Sequence, residues 1–174
     1  NILTSLLKVQ KGEIYVDNKQ IKNPEDFRKY QNLFTISSQD TYLLDGTIKE
    51  NIIFGSDGNF SEERFNEAIK FSRLENMVNN LANGINTSVG STIKQLSSGQ
   101  KQRISIARSI YCDRKILIFD EATNALDEEN EKSIFENLKK LKINKTIIII
   151  SHNPKNLDIC DHVYKIENKN LFKL

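Results

Sequence analysis

No stretch of the 174-residue chain approaches the roughly 20 consecutive apolar residues that a membrane helix needs, which excludes a helix spanning a bilayer. An excess of one charge sign is also missing. The 25 basic and 23 acidic side chains leave a net charge of +2, so the chain lacks the strongly positive field of a nucleic-acid binder, and no nucleic-acid partner is expected. Cysteine is scarce: Cys112 and Cys160 are far apart and in no metal-type spacing, which points to a reduced cytosolic setting and to thiols used for packing. The opening Asn1-Ile2-Leu3 has neither an initiator Met nor the basic segment of a signal peptide, and the expectation is that something upstream has been cut away. No repeat or low-complexity segment is evident. What remains is a chain long enough for one domain with a real core.

The most informative stretch runs from Leu96 to Asp127. Ser97 and Gln100 have the S-x-x-Q spacing of a capping box, which predicts a helix starting there. Ile104, Ala107 and Tyr111, with Ile106 and Ile110 alongside, recur at three- and four-residue intervals and predict its apolar stripe. Capping by Ser97 leaves the backbone N–H groups of Ser98, Gly99 and Gln100 without helical partners. They make a small anion site that the helix dipole favours by about 0.3–1 kcal/mol per charge, and Gly99 has no side chain to keep a ligand from the backbone. For S-S-G-Q taken alone, a capped core helix with nothing bound is the favoured reading. Ile116 to Phe119 is a continuous apolar run, the pattern of a parallel strand covered on both faces. Asp120 and Glu121 emerge at its carboxyl end, where open α/β sheets place their ligands. A carboxylate there suits Mg²⁺, which takes oxygen ligands. Its neighbour can orient or deprotonate a water, a role worth about 10²–10⁴-fold in rate.

These residues resemble the ATP-binding cassette (ABC) ATPases. Leu96-Ser97-Ser98-Gly99-Gln100 is similar to the family's signature L-S-G-G-Q, Ile116-Leu117-Ile118-Phe119-Asp120-Glu121 to its Walker B strand, and Asn124-Ala125-Leu126-Asp127 to its D-loop. Ser98 replaces a usual Gly, which ordinary helix-start angles tolerate. Gly12-Glu13-Ile14-Tyr15-Val16-Asp17 matches a further family feature. No G-x-x-x-x-G-K-[ST] occurs in the sequence. That loop would supply the lysine, the amide nest for the phosphates and a hydroxyl for Mg²⁺.

Elsewhere the residues and the resemblance combine. Asn1 to Lys8 reads as the tail of a helix with Ile2, Leu3, Leu6 and Leu7 on one face. Asn23-Pro24 opens a short helix through Tyr30, and a strand is predicted over Asn32 to Ile36. Gln39 is by itself an ordinary polar loop residue, but the resemblance makes it the Q-loop glutamine that reaches Mg²⁺ and the attacking water. Tyr42 to Ile52, alone a surface turn at Asp45-Gly46, is similar to the L-[FL]-x-G-T-I-x-E-N-I stretch of exporter-type proteins. Phe60 and Phe65 flank Ser61 as a hydrophobic staple before a helix to about Phe71. A second helix is predicted from Leu74 through Leu81, terminated by Gly84. Thr87 to Ser91 resembles T-x-V-G-E with Ser91 in place of Glu. Asp127 should cap a helix burying Ile134, Phe135, Leu138 and Leu141, with Lys139, Lys140 and Lys142 solvated near its end. Thr146 to Ile150 reads as a second parallel strand delivering Ser151-His152, and the resemblance makes His152 the switch histidine for the γ-phosphate. His162 has no such match. Val163 to Leu174 reads as a hairpin turning at Asn168-Lys169-Asn170.

The expected fold is α/β: a P-loop NTPase-like parallel sheet core (1–40 and 112–174) with an α-helical signature subdomain (41–111), truncated at its amino end. The resemblance implies ATP and Mg²⁺ as ligands. It implies as partners a second nucleotide-binding domain and the transmembrane domain of an exporter at the cytoplasmic face of a bacterial inner membrane. Asp120 and Gln39 would hold the metal, Glu121, Gln39 and His152 would act in hydrolysis, and Leu96, Ser97, Ser98, Gly99, Gln100 and Asp127 would meet nucleotide. The ending Ser151-His152-Asn153-Pro154-Lys155-Asn156-Leu157-Asp158-Ile159-Cys160-Asp161 has a loose likeness to bacterial flippases of lipid-linked glycans or lipopolysaccharide. Two other readings stand beside this: a non-catalytic regulatory cassette acting as a binding module, and a soluble translation or repair factor of the same family. If the phosphate loop is needed, the 174 residues alone should show no ATPase activity beside a polypeptide extended upstream; turnover at an ordinary rate by the short chain would contradict this.

Overall fold

A computed structural model describes residues 3, 4, 7, 9, 11–90 and 96–174. The first element is a small hairpin, β1 (Tyr15–Val16) and β2 (Lys19–Gln20). Asp17 and Asn18 turn it with φ of 48° and 64°, the left-handed pair that a two-residue hairpin loop needs. This hairpin was not foreseen, although Asp-Asn is the kind of dipeptide that adopts such angles. Of the predicted amino-terminal helix, Ile2 and Leu6 lie outside the described residues, Leu3 is in a turn and Leu3 and Leu7 are exposed.

α1 (Pro24–Gln31) starts as expected, with Asn23 accepting the Asp26 N–H at 2.9 Å and Pro24 at the first position. β3 then occupies Phe34–Ser38, two residues later than predicted. Its position is set by pairing: Phe34 lies opposite Ile116 and Ser38 opposite Asp120 of β6 (Ile116–Asp120). β6 pairs in turn with β7 (Thr146–Ile150), all parallel, in the order β3-β6-β7. Leu117, Ile118 and Phe119 are buried, as expected of a central strand. β7 corrects the expectation of full coverage. It stands at an edge of the sheet, its five residues are half-buried or exposed, and Ile150 is 48% exposed. Apolar content alone does not say which strand lies in the middle.

Two apolar cores meet on α5 (Ser98–Tyr111). Ile104, Ala107 and Tyr111 face the first core, with Ile48, Ile52, Phe65, Leu74 and Val89, while Ile106 faces the second, with Leu117, Phe119, Ile134 and Leu138. β3 packs on α5 through hydroxyls, Ser37 Oγ lying 3.0 Å from Ser105 Oγ and Thr35 Oγ1 donating to Ser109 Oγ at 3.2 Å. Small side chains let strand and helix approach closely.

The first core includes a helix that no predicted element covered. After the short strand β4 (Gly46–Thr47), Thr47 and Glu50 form a reciprocal capping box that starts α2 (Ile48–Ile53). Asn51, with no exposed surface, is its anchor. Its Oδ1 accepts the Leu44 N–H at 2.9 Å and its Nδ2 donates to the Leu44 and Thr47 carbonyls at 3.0 Å. Arg108 of α5 donates from Nε to the Asn51 carbonyl at 2.7 Å and from Nη2 to Asn51 Oδ1 at 3.1 Å. α3 (Glu62–Phe71) keeps the predicted staple, with Phe60 and Phe65 rings 5.6 Å apart. α4 is only Glu75–Asn79, shorter than predicted, since the chain leaves the helix at Asn80 and Gly84 opens a 3₁₀ turn instead of closing the helix. β5 (Ser88–Val89) pairs with β4, and Ser91 lies outside the described residues.

α6 (Glu128–Leu141) follows Asp127, which accepts the Asn130 N–H at 3.0 Å, and buries Ile134 and Leu138. The chain closes in a hairpin of β8 (Tyr164–Glu167) and β9 (Asn170–Lys173) with Asn168 and Lys169 in its turn. Asn51→Ala would strand the Leu44 and Thr47 backbone groups and one Arg108 donor. We expect it to cost about 2–3 kcal/mol, read as a lower urea midpoint with an unchanged slope.

Candidate functional site

The register of the sheet brings the carboxyl ends of three strands level, with Ser38, Asp120 and Ile150 side by side. Each strand then gives up one polar residue or pair at the same rim: Gln39 after β3, Asp120-Glu121 at β6 and Ser151-His152 after β7. Glu121 leaves the strand with φ of 49°, a left-handed angle that costs a side-chain-bearing residue about 1–2 kcal/mol. Backbone bonds hold it there: its N–H donates to the Ile150 carbonyl at 3.0 Å, and its carbonyl accepts the Asn124 N–H at 3.3 Å. This turn separates it from Asp120. Glu121 has a side chain 16% exposed and meets His152 Nε2 at 2.8 Å through Oε1. Its Oε2 accepts Asn124 Nδ2 at 2.8 Å. His152 is otherwise open, its side chain 93% exposed.

Asp120 is exposed, and among the described residues its carboxylate has no hydrogen-bonding or ionic partner. An unpartnered carboxylate at a strand's end fits an oxygen-ligated cation such as Mg²⁺. Gln39 is also exposed. It lines, with Asp40, Thr41 and Tyr42, an open hollow of about 390 Å³ whose far wall is Ser98 and Lys101 of α5. The rim and the start of α5 are therefore neighbours through Gln39's loop.

At the start of α5 the capping box is complete: Gln100 N–H donates to Ser97 Oγ at 3.2 Å and Ser97 N–H to Gln100 Oε1 at 3.0 Å. Ser97 and Ser98 are exposed. Leu96 is 7% exposed and packs in the first apolar core. The space left by Gly99's missing side chain is filled by the protein: a Cβ there would lie 2.7 Å from the Ala125 carbonyl oxygen. The glycine is needed for helix-to-loop approach. Gln102, 3% exposed, completes the joint by accepting the Ala125 N–H at 3.0 Å. Asp127 is engaged as the α6 cap, with Asn130 Nδ2 donating to its Oδ2 at 2.6 Å. The Asn130 backbone and side chain, with Arg103 farther off, hold its carboxyl below the ordinary range.

Residues 1–124 match the family described as ABC transporter. The chain belongs to the ABC transporter family. Among relatives, it is 33% identical over 168 residues to an ATP-dependent lipid A-core flippase of Vibrio vulnificus, covering 97% of this chain and 29% of that protein. It is 42% identical over 142 residues to ABC transporter B family member 3 of Dictyostelium discoideum, covering 82% of this chain and 10% of that one. A bacterial Atm1-family ABC exporter solved with ATP bound superposes with a TM-score of 0.81 at 30% identity, over 90% of this chain and 27% of that chain. The chain thus spans less than a third of the flippase relatives' length.

In this ABC transporter domain, sequence reading missed Asn124 and Gln102 as partners of the rim and the α5 joint. Asn124 is a short polar residue in a turn and Gln102 a polar residue in a helix, so neither carries a pattern; only the packing gives them partners. Gly99→Ala should push the Ala125 carbonyl away and cost about 1–3 kcal/mol, seen as a lowered urea midpoint and faster amide exchange over 123–127.

Proposed function

We propose that this chain is the nucleotide-hydrolysing motor of an ABC exporter, with a core of 1–40 and 112–174 and a helical subdomain of 41–111. The observation that carries the reading is the Glu121–His152 contact at 2.8 Å beside Asp120, whose carboxylate has no partner among the described residues, at the rim where three parallel strands end. A carboxylate with one oxygen against an imidazole and the other against an amide is fixed in orientation, as a group that positions an attacking water must be. His152, open on its outer side, would donate to the γ-phosphate of ATP. Asp120 and Gln39 would hold Mg²⁺, which when bound supplies charge neutralisation on the phosphate oxygens. Catalysis is then positioning plus charge stabilisation, as phosphoryl transfer demands.

The exposed Ser97 and Ser98, with Gly99, would close on nucleotide held by a second copy of the domain, and Asp127 would lie at the same dimer face. The lysine and amide nest for the β- and γ-phosphates would come from upstream of residue 1 in the intact polypeptide, as would a transmembrane domain. The relatives named lipid A-core flippases support a lipid as cargo, and the domain would work at the cytoplasmic face of a bacterial inner membrane. In the intact polypeptide, Glu121→Gln should leave ATP binding unchanged and lower turnover about 10²–10⁴-fold; an unaltered phosphate-release rate would refute the role of Glu121.

A further inference from the structure

Glu121 and His152 sit on different loops, 31 positions apart in sequence, and neither loop belongs to a strand or helix. The Glu121 N–H bond to the Ile150 carbonyl ties the loops where they leave the sheet, and beyond it the position of the His152 turn depends on further contacts. Beneath them lies a small polar network that the proposed chemistry does not use. Glu131, in the first turn of α6, accepts with a single oxygen, Oε1, from Thr123 Oγ1 at 2.8 Å and from Asn156 Nδ2 at 3.0 Å. Thr123 follows Glu121 by two residues. Asn156 lies in the 3₁₀ turn after His152 and also donates to Ser151 Oγ at 3.2 Å. Ser151 Oγ in turn accepts the Asn153 N–H at 3.0 Å, closing the turn around His152. Thr123 and Asn156 are each 5% exposed, so these bonds are shielded from competing water. Glu131 forms no ion pair among the described residues. Its acceptor oxygen, not a cationic partner, gives it its place.

We propose that Glu131 is a positioning residue: its carboxylate oxygen clamps the Thr123 loop and the Asn156 turn to α6 and so sets the distance between Glu121 and His152. The inference rests on the hydrolytic reading of the rim. Because Glu131 sits one turn beyond the Asp127 cap, the clamp also ties that pair to the helix leading out of the loop 124–127. Removing it frees two loops without touching Ser97, Gly99 or Asp120, so binding of nucleotide should survive and the chemical step should suffer.

The test is steady-state ATPase kinetics of the intact polypeptide with Glu131→Ala and Glu131→Gln. Alanine should lower kcat about 10- to 100-fold, the scale of a misplacement near 1 Å, with KM for ATP within about twofold. Glutamine keeps the acceptor oxygen and should restore kcat to within about threefold of the parent, since both donors keep a neutral acceptor. Unchanged kcat in the alanine variant, a rise in KM alone, or a glutamine variant as impaired as alanine would overturn the clamp. If the alanine variant fails to fold, the near-isosteric Thr123→Val removes one donor: a lower kcat at constant KM supports the clamp, and an unchanged kcat overturns it. Glu121→Gln in the same assay separates the two levels. Full turnover by that variant overturns the rim reading and the clamp with it, whereas an inactive Glu121→Gln beside a fully active Glu131→Ala overturns the clamp alone.

Discussion

The in-register pairing of three parallel strands is the constraint on which the rest depends. Ser38, Asp120 and Ile150 are level, so the residues that follow them reach solvent on one rim. A slip of one residue in β6 would turn Leu117 and Phe119 away from α6 and carry Asp120 out of line. Burial of Leu117, Phe119, Ile134 and Leu138 in one cluster is what forbids that slip. The apolar core thus decides where the carboxylates stand.

α5 is the second organising element, because it belongs to both cores. Its successive faces carry Ile104, Ala107 and Tyr111 to one side and Ile106 to the other, with Ile110 packed against both. At its amino end the glycine contact with Ala125 and the Gln102 bond join it to the loop after β6. The exposed capping serines and the acidic rim are therefore linked through one rigid helix. Arg108, at the other end, fastens the same helix to Asn51; burial pushes its guanidinium below its usual value, and backbone and amide oxygens take the place of a carboxylate partner.

Polar satisfaction and strain are concentrated at the joints. Glu121 takes up a left-handed angle, and the bonds from Ile150, Asn124 and His152 compensate it locally. Strain of this kind persists only where the surroundings over-determine a conformation, and here they do: two backbone bonds and two side-chain partners act on one residue.

Local signals determined much of this protein. The capping boxes and caps at Ser97, Asp127 and Asn23, the staple at Phe60 and Phe65, and the apolar runs of β6 and β7 all act over three to five residues, where sequence neighbours are spatial neighbours. The motif order made the family and the rim residues legible as well. Tertiary structure decided what depends on distant partners: that β6 and not β7 is central, that β3 begins at Phe34, that Leu96 is core, that Gly99 serves Ala125, and that α2 is locked by Asn51 and Arg108. Periodicity records only that a residue is apolar or polar, while the neighbour it will meet across the fold is set by pairing and packing of the whole chain.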